Sequence, residues 1–186
     1  MRIIFLRHGM TAGNLEKRYI GRTDESLCRE GIEQLNSLSL PHCELLVCSP
    51  MKRCTETAEL LFPGQVPVIC EALRECDFGD FEKKNYAELN GDERYQKWID
   101  SGGTLPFPNG ESPEGFRERC CGGFLQIMDK YGSAESAAFV VHGGTIMSIL
   151  SRLAVPHRDY FDRQCLNGHG YRCEFDGEKI TDTEKI

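Results

Sequence analysis

Short apolar runs alternate along this chain with longer stretches of helical periodicity, and that alternation restricts the fold more than any other feature. Arg2–Leu6 is a β-branched and aromatic run that stops at a glycine-containing turn, as a buried strand does. Glu44–Cys48, Val66–Ile69 and Ala138–Val141 share its character. Tyr171–Phe175, followed by Asp176-Gly177, reads as a last strand entering a tight turn. Helices fall between them. Ser49-Pro50 supplies an N-cap and a first-turn proline ahead of an apolar face made by Met51, Cys54, Ala58 and Leu61. Ser112-Pro113-Glu114 repeats that signal before a long helix through Phe116, Cys120, Phe124, Ile127 and Tyr131. A third helix follows Gly143-Gly144, with Ile146, Ile149, Leu150 and Leu153 on one side. Asn85–Trp98 has weaker helical character, and Gly102–Gly110 is a loop rich in Gly and Pro. This order predicts an α/β fold, a mostly parallel sheet with helices on both faces, in one domain over residues 1–186.

Charge narrows the partners. The 22 Lys and Arg against 29 Asp and Glu leave a net charge of −7 over 186 residues. That balance argues against sequence-independent nucleic-acid binding and against an anionic membrane surface. A small anionic substrate stays possible where a few positive charges gather in one pocket. Ile3-Ile4-Phe5-Leu6 is cut off by Arg7-His8, too short for a signal peptide, and no window approaches the roughly 20 apolar residues of a membrane span. A cytoplasmic protein is expected. The ten cysteines show neither Cys-x-x-Cys spacing nor zinc-ligand intervals with histidine, and read as free, mostly buried thiols.

In open α/β sheets ligands bind beyond the carboxyl ends of the strands, and the polar residues of this chain collect there. The first strand ends in Arg7-His8-Gly9 and the second in Cys48-Ser49-Pro50, with Arg53 one helical turn further on. Val66–Ile69 leads to Arg74-Glu75, and Ala138–Val141 ends in His142-Gly143-Gly144. Taken singly, each is an ordinary turn, helix start or surface charge. Together they bring a specific chemistry to one edge. Arginines offer planar forks for phosphoryl oxygens, helix N-termini offer backbone N–H groups, neutral imidazole is a nucleophile and a carboxylic acid can protonate a leaving alkoxide. No P-loop pattern or acidic metal cluster is present in the sequence, so neither metal nor cofactor is expected.

These residues, in this order, resemble the histidine phosphatase superfamily, also called phosphoglycerate-mutase-like. The resemblance rests on Leu6-Arg7-His8-Gly9-Met10-Thr11 with Asn14, on Gly21-Arg22-Thr23-Asp24 leading to Leu27 and Gly31, and on Ser49-Pro50-Met51-Lys52-Arg53 with Thr57-Ala58. It continues through Leu73-Arg74-Glu75 with Phe78-Gly79, Gly110-Glu111-Ser112 and Val141-His142-Gly143-Gly144. The likeness implies a three-layer α/β/α sandwich of phosphoglycerate-mutase-like form. It also implies a metal-independent phosphatase, with a small phosphorylated metabolite as substrate. By the same likeness His8 is the nucleophile that becomes phosphohistidine, and Arg7, Arg53 and His142 form the phosphate pocket. Asn14 and Gly143 support that pocket, Glu75 is the general acid and base, and Ile20 and Gly21 lie on the substrate side.

Three features depart from the family pattern. Glu82-Lys83 stands where many members have Glu-Gly, and Ile20 stands where mutases carry a small hydroxyl residue. The chain also lacks the insertion and the paired arginines that mutases use for a second phosphate. The balance therefore tilts to hydrolysis, with two alternatives: a mutase-type phosphotransferase and a silent relative that binds phosphorylated ligands. In length the chain resembles small α-ribazole and broad-specificity phosphatases. Substrate selection is expected near Ile20, Arg22, Phe78–Trp98 and Gly102–Gly110, where Tyr86, Tyr95, Trp98 and Phe107 are either pocket wall or ordinary packing.

Overall fold

A computed structural model describes residues 1–186. Six strands form one sheet in the order β3-β2-β4-β1-β5-β6. They are β1 (Arg2–Arg7), β2 (Leu45–Cys48), β3 (Val68–Ile69), β4 (Ser136–Val141), β5 (Gly170–Phe175) and β6 (Ile180–Lys185). The first four are mutually parallel, whereas β5 and β6 run antiparallel at one edge. Six helices accompany them: α1 (Ala12–Leu15), α2 (Arg29–Leu35), α3 (Lys52–Leu61), α4 (Glu93–Asp100), α5 (Pro113–Tyr131) and α6 (Gly143–Leu153). The expected α/β fold with a mostly parallel sheet is the one observed.

Alternation along the strands makes the two outer layers. Ile3, Phe5, Val47, Phe139 and Val141 face α5 and α6, packing on Phe116, Phe124, Ile146 and Ile149. Their neighbours Ile4, Leu6, Leu46, Cys48 and Val140 face the other way, under Cys54, Ala58 and Phe62 from α3. Strands covered on both faces read as continuous apolar runs, which is why β1 and β4 stand out in the sequence. All ten cysteines are free thiols and eight are buried as small hydrophobes. Burial pushes the Cys48 thiol up to about 12, so it stays protonated at neutral pH. No helix is long and apolar enough to cross a membrane.

Several elements differ from the sequence expectation, each for a local reason. The strand expected at Val66 shrinks to Val68–Ile69, because it pairs only with Val47 and Cys48 at the sheet edge. Tyr171–Phe175 is not the last strand. The chain turns at Gly177 and returns as β6, an edge strand whose only buried residue is Ile180 and whose polar run gives no apolar signal. Of Asn85–Trp98 only the end is helical: the Asn85 carboxamide accepts from Ala87 and Glu88 in a turn, and Asp92 then caps α4. Ser49 does not cap α3, whose N-cap is Met51, because the Ser49 hydroxyl is bonded elsewhere. Ser112 does cap α5, accepting from the Gly115 amide. The short helices α1 and α2, capped by Thr11 and Cys28, have no counterpart in the sequence reading.

Candidate active site

The strand ends lie level because the backbone ladder continues past them. The His8 amide donates to the Val141 carbonyl at 3.0 Å, and the Ser49 amide donates to the Val140 carbonyl at 3.1 Å. Three adjacent strands thus deliver His8, Ser49 and His142 to one place. The His8 and His142 rings meet edge-on, with centroids 5.2 Å apart. Beyond β3, a tight turn at Glu71–Leu73 carries the chain to Glu75 on the same edge.

His8 Nδ1 lies 2.7 Å from the carbonyl of Gly9. A carbonyl only accepts, so Nδ1 carries the proton and Nε2, which makes no bond within the chain, keeps its lone pair. Burial, then the charges of Arg53 and Arg7, hold the His8 pKa well below the ordinary imidazole value. Gly9 is itself fixed: its amide donates to Thr57 Oγ1, which donates to the Arg53 carbonyl.

The two arginines are used differently. Arg7 lines the cavity at this edge of the sheet, gives Nη1 to the Cys165 carbonyl at 2.8 Å and leaves Nε without a partner. Arg53 is wholly buried and nearly saturated. Its guanidinium donates to the carbonyls of Thr23, Gly21 and Ile20, and its Nε donates to His142 Nδ1 at 3.3 Å. One N–H of Arg53 remains, against the full fork expected from the sequence. His142 Nδ1 must accept from Arg53, so Nε2 bears the proton and donates to Ser49 Oγ at 2.7 Å. Burial and Arg53 keep His142 neutral far below its ordinary range.

Glu75 is half-buried beside the first turn of α6. Its carboxylate accepts from the Cys76 amide at 3.0 Å and from the Gly144 amide at 3.1 Å. Burial raises its pKa, while those two amides and the charges of Arg53 and Arg7 oppose the rise. Gly144 is required by contact: a Cβ there would sit 2.3 Å from Glu75 Oε1 and 3.0 Å from the Phe116 ring. Since His142 gives α6 no side-chain cap, the first turn of the helix faces the cavity through Gly143 and Gly144.

The cavity has a volume of about 480 Å³, within the ordinary range for small-molecule sites. Arg7, Asn14, Glu75, Gly143 and Asn167 form its polar floor. Its wall is aromatic. Trp98 and Phe107 pack at 5.1 Å between centroids, Phe107 meets Phe78 at 5.1 Å, and Phe78 meets Tyr19 at 5.2 Å. Of the four aromatics singled out by sequence, Trp98 and Phe107 line the cavity, Tyr95 supports them by stacking on Trp98, and Tyr86 is exposed outside it. Ile20 and Gly21 do not line it: Ile20 is buried beneath Gly13, and both residues turn their carbonyls to Arg53. Arg22 does not line it either and pairs with Asp77 at 3.1 Å. No group of three or more His, Cys, Asp or Glu side chains could hold a metal ion.

Glu82-Lys83 also finds its reason. The Glu82 carboxylate gathers the amides of Gly21 and Thr23, and Lys83 adopts φ 62, the left-handed region where glycine is unstrained. Sequence reasoning missed the Ser49–His142 bond and Asn167. The Ser49-Pro50 pair looks like any helix start, and Asn167 sits in an irregular loop with no periodicity to mark it.

Comparison with known proteins gives the family and confirms the fold. The family model described as histidine phosphatase superfamily (branch 1) matches residues 3–183. The adenosylcobalamin/alpha-ribazole phosphatase of Escherichia coli (strain K12) is 30% identical over 161 residues, covering 82% of this chain and 79% of that protein. Among solved structures, the alpha-ribazole phosphatase of Shigella flexneri superposes with a TM-score of 0.86 at 27% identity, covering 97% of this chain and 94% of the other. A phosphoglycerate mutase from Thermus thermophilus gives 0.76 at 26% identity, covering 100% of this chain and 99% of the other.

Proposed function

This chain belongs to the histidine phosphatase superfamily and is a hydrolase of phosphate monoesters, and from that premise we propose that it works through a phosphohistidine on His8. The observation that carries the reading is the tautomer of His8: the Gly9 carbonyl holds the proton on Nδ1 and leaves Nε2 unprotonated in a pocket of positive charge. The Nε2 lone pair attacks phosphorus and the bond to the leaving oxygen breaks. Glu75, whose pKa burial raises, passes a proton to that oxygen. Glu75 as carboxylate then takes a proton from water, whose oxygen attacks phosphorus. The P–N bond breaks, phosphate leaves and His8 is restored. Arg7 and the first turn of α6 hold the non-bridging oxygens. Arg53 supplies charge and one N–H, and His142 holds Arg53 and the His8 ring in place.

The substrate we propose is a small phosphorylated metabolite whose organic part rests on Trp98, Phe107 and Phe78. α-Ribazole 5′-phosphate heads the compounds to try, given the names of the relatives. Release of inorganic phosphate from a panel of phosphomonoesters, with and without a bisphosphate primer, tests the reading. Primer-independent release is expected. Primer-dependent isomerisation without net release would make the enzyme a mutase, and binding without turnover a silent relative.

A further inference from the structure

Asn167 stands in the loop before β5, and its carboxamide reaches three acceptors around the turn that follows β1. Nδ2 lies 3.1 Å from the His8 carbonyl, 3.4 Å from the Gly9 carbonyl and 3.1 Å from Asn14 Oδ1. Two of these are backbone carbonyls, so only the NH2 end of Asn167 fits there. Asn14 Oδ1 also accepts from the Thr11 amide at 3.2 Å. An amide N–H can only donate, so the two contacts turn Asn14 Oδ1 inward and leave its NH2 for the cavity it lines.

The backbone on both sides of Asn167 is fastened by other groups. Cys165 accepts from Arg7 Nη1, and the Gly168 amide donates to the carbonyls of Arg7 and His8. His169 accepts from the Arg7 amide, while Gln34 donates to the Asn167 carbonyl at 2.8 Å. Gly168 at φ 73 permits the reversal that this requires. The loop is therefore held without the Asn167 side chain, which is free to serve another purpose.

We propose that Asn167 is a positioning residue that sets the His8–Gly9 turn and the orientation of Asn14 together, so that one side chain aligns the nucleophile with a phosphate donor. The inference rests on His8 being the nucleophile, as proposed above. Gly9 links the two halves, because its carbonyl accepts from both His8 Nδ1 and Asn167 Nδ2.

A double-mutant cycle with a pH profile tests it. Asn167→Ala should lower kcat/KM at least tenfold, mainly in kcat, while Asn14→Ala and the double variant should lie close together instead of multiplying. Multiplying losses would mean that Asn167 acts independently of Asn14 and would overturn the proposal, as would an Asn167→Ala enzyme with wild-type kcat/KM. Asn167→Asp keeps the shape and removes both donors, so it carries the test if the alanine variant fails to fold. Arg7 beside His8, Arg53 from α3 and His142 beyond β4 face the His8 ring, with Glu75 at the same edge of the sheet. A carboxylate added to that set should move the acidic limb of kcat/KM to higher pH. A loss of thermal stability with an unmoved limb would show a purely structural role and refute the assignment. His8→Ala, run in parallel, separates the failures: wild-type turnover there would refute the nucleophile itself, whereas a dead His8→Ala beside an unaffected Asn167→Ala would refute only this inference.

Discussion

The floor beneath the cavity, made by His8, Arg53, Glu75 and His142, follows the ends of four parallel strands, and its side chains are tied by hydrogen bonds to backbone or to one another. The wall rests on the irregular stretch from Phe78 to Phe107, whose one α-helix, α4, buries no residue fully. Its aromatics hold one another by edge and stacked contacts, with a single Tyr19–Tyr95 hydroxyl bond at 3.2 Å. A floor built this way fixes atoms to within fractions of an ångström, which phosphoryl transfer needs. A wall built from ring contacts fixes shape and polarity but tolerates change, which suits the part of a site that selects the organic half of a substrate.

The division predicts where mutations will be felt. Glu75→Gln should cause a large loss, about 10²–10⁴-fold in kcat for alkyl phosphates and much less for p-nitrophenyl phosphate, whose leaving group needs no proton. Equal losses on both substrates would take the acid role from Glu75. Gly144→Ala should lower kcat roughly tenfold or more with little change in KM, since the new Cβ, 2.3 Å from Oε1, would displace the carboxylate. On the other side of the comparison, Trp98→Ala should raise KM several-fold for ring-bearing substrates and leave kcat for p-nitrophenyl phosphate within about threefold. If it lowered kcat as far as a floor mutation, floor and wall would not be separable.

Acid should also distinguish them. His8 and His142 have pKa values held below the ordinary 6.5, so below that pH the unfolded chain binds protons that the folded chain refuses. Stability then falls as the pH drops from about 6.5. Glu75 has the opposite sign. Its raised pKa destabilises the fold at neutral pH, and protonation relieves this only as the pH descends toward 4.5. Melting temperature should therefore decline by a few degrees between about pH 6.5 and about pH 5.5, and the decline should shrink in His142→Gln. Trp98→Ala should leave the slope as it is.

The same contrast explains what could be read from the sequence. Arg7, His8, Ser49 and His142 follow apolar runs, so periodicity places them at strand ends, whereas Arg53 and Glu75 lie further along the chain and join them through the strand-end rule and the family resemblance. β6 escapes notice because an edge strand buries one residue, Ile180, and has no need of an apolar run. The saturation of Arg53 is also hidden, since its partners are the carbonyls of Ile20, Gly21 and Thr23, and every residue has a carbonyl. Trp98 and Phe107 are ambiguous because an aromatic residue in an irregular stretch looks alike in a core and in a wall. Their packing comes from long-range contacts with Tyr19 and Phe78 that no local pattern encodes.

Rapid mixing with p-nitrophenyl phosphate, quenching in alkali and peptide mapping by mass spectrometry would test the floor most directly. An alkali-stable, acid-labile phosphoryl group on the peptide containing His8 is the expected result. Phosphate on any other residue, or a burst of p-nitrophenol with no phosphorylated protein, would contradict it.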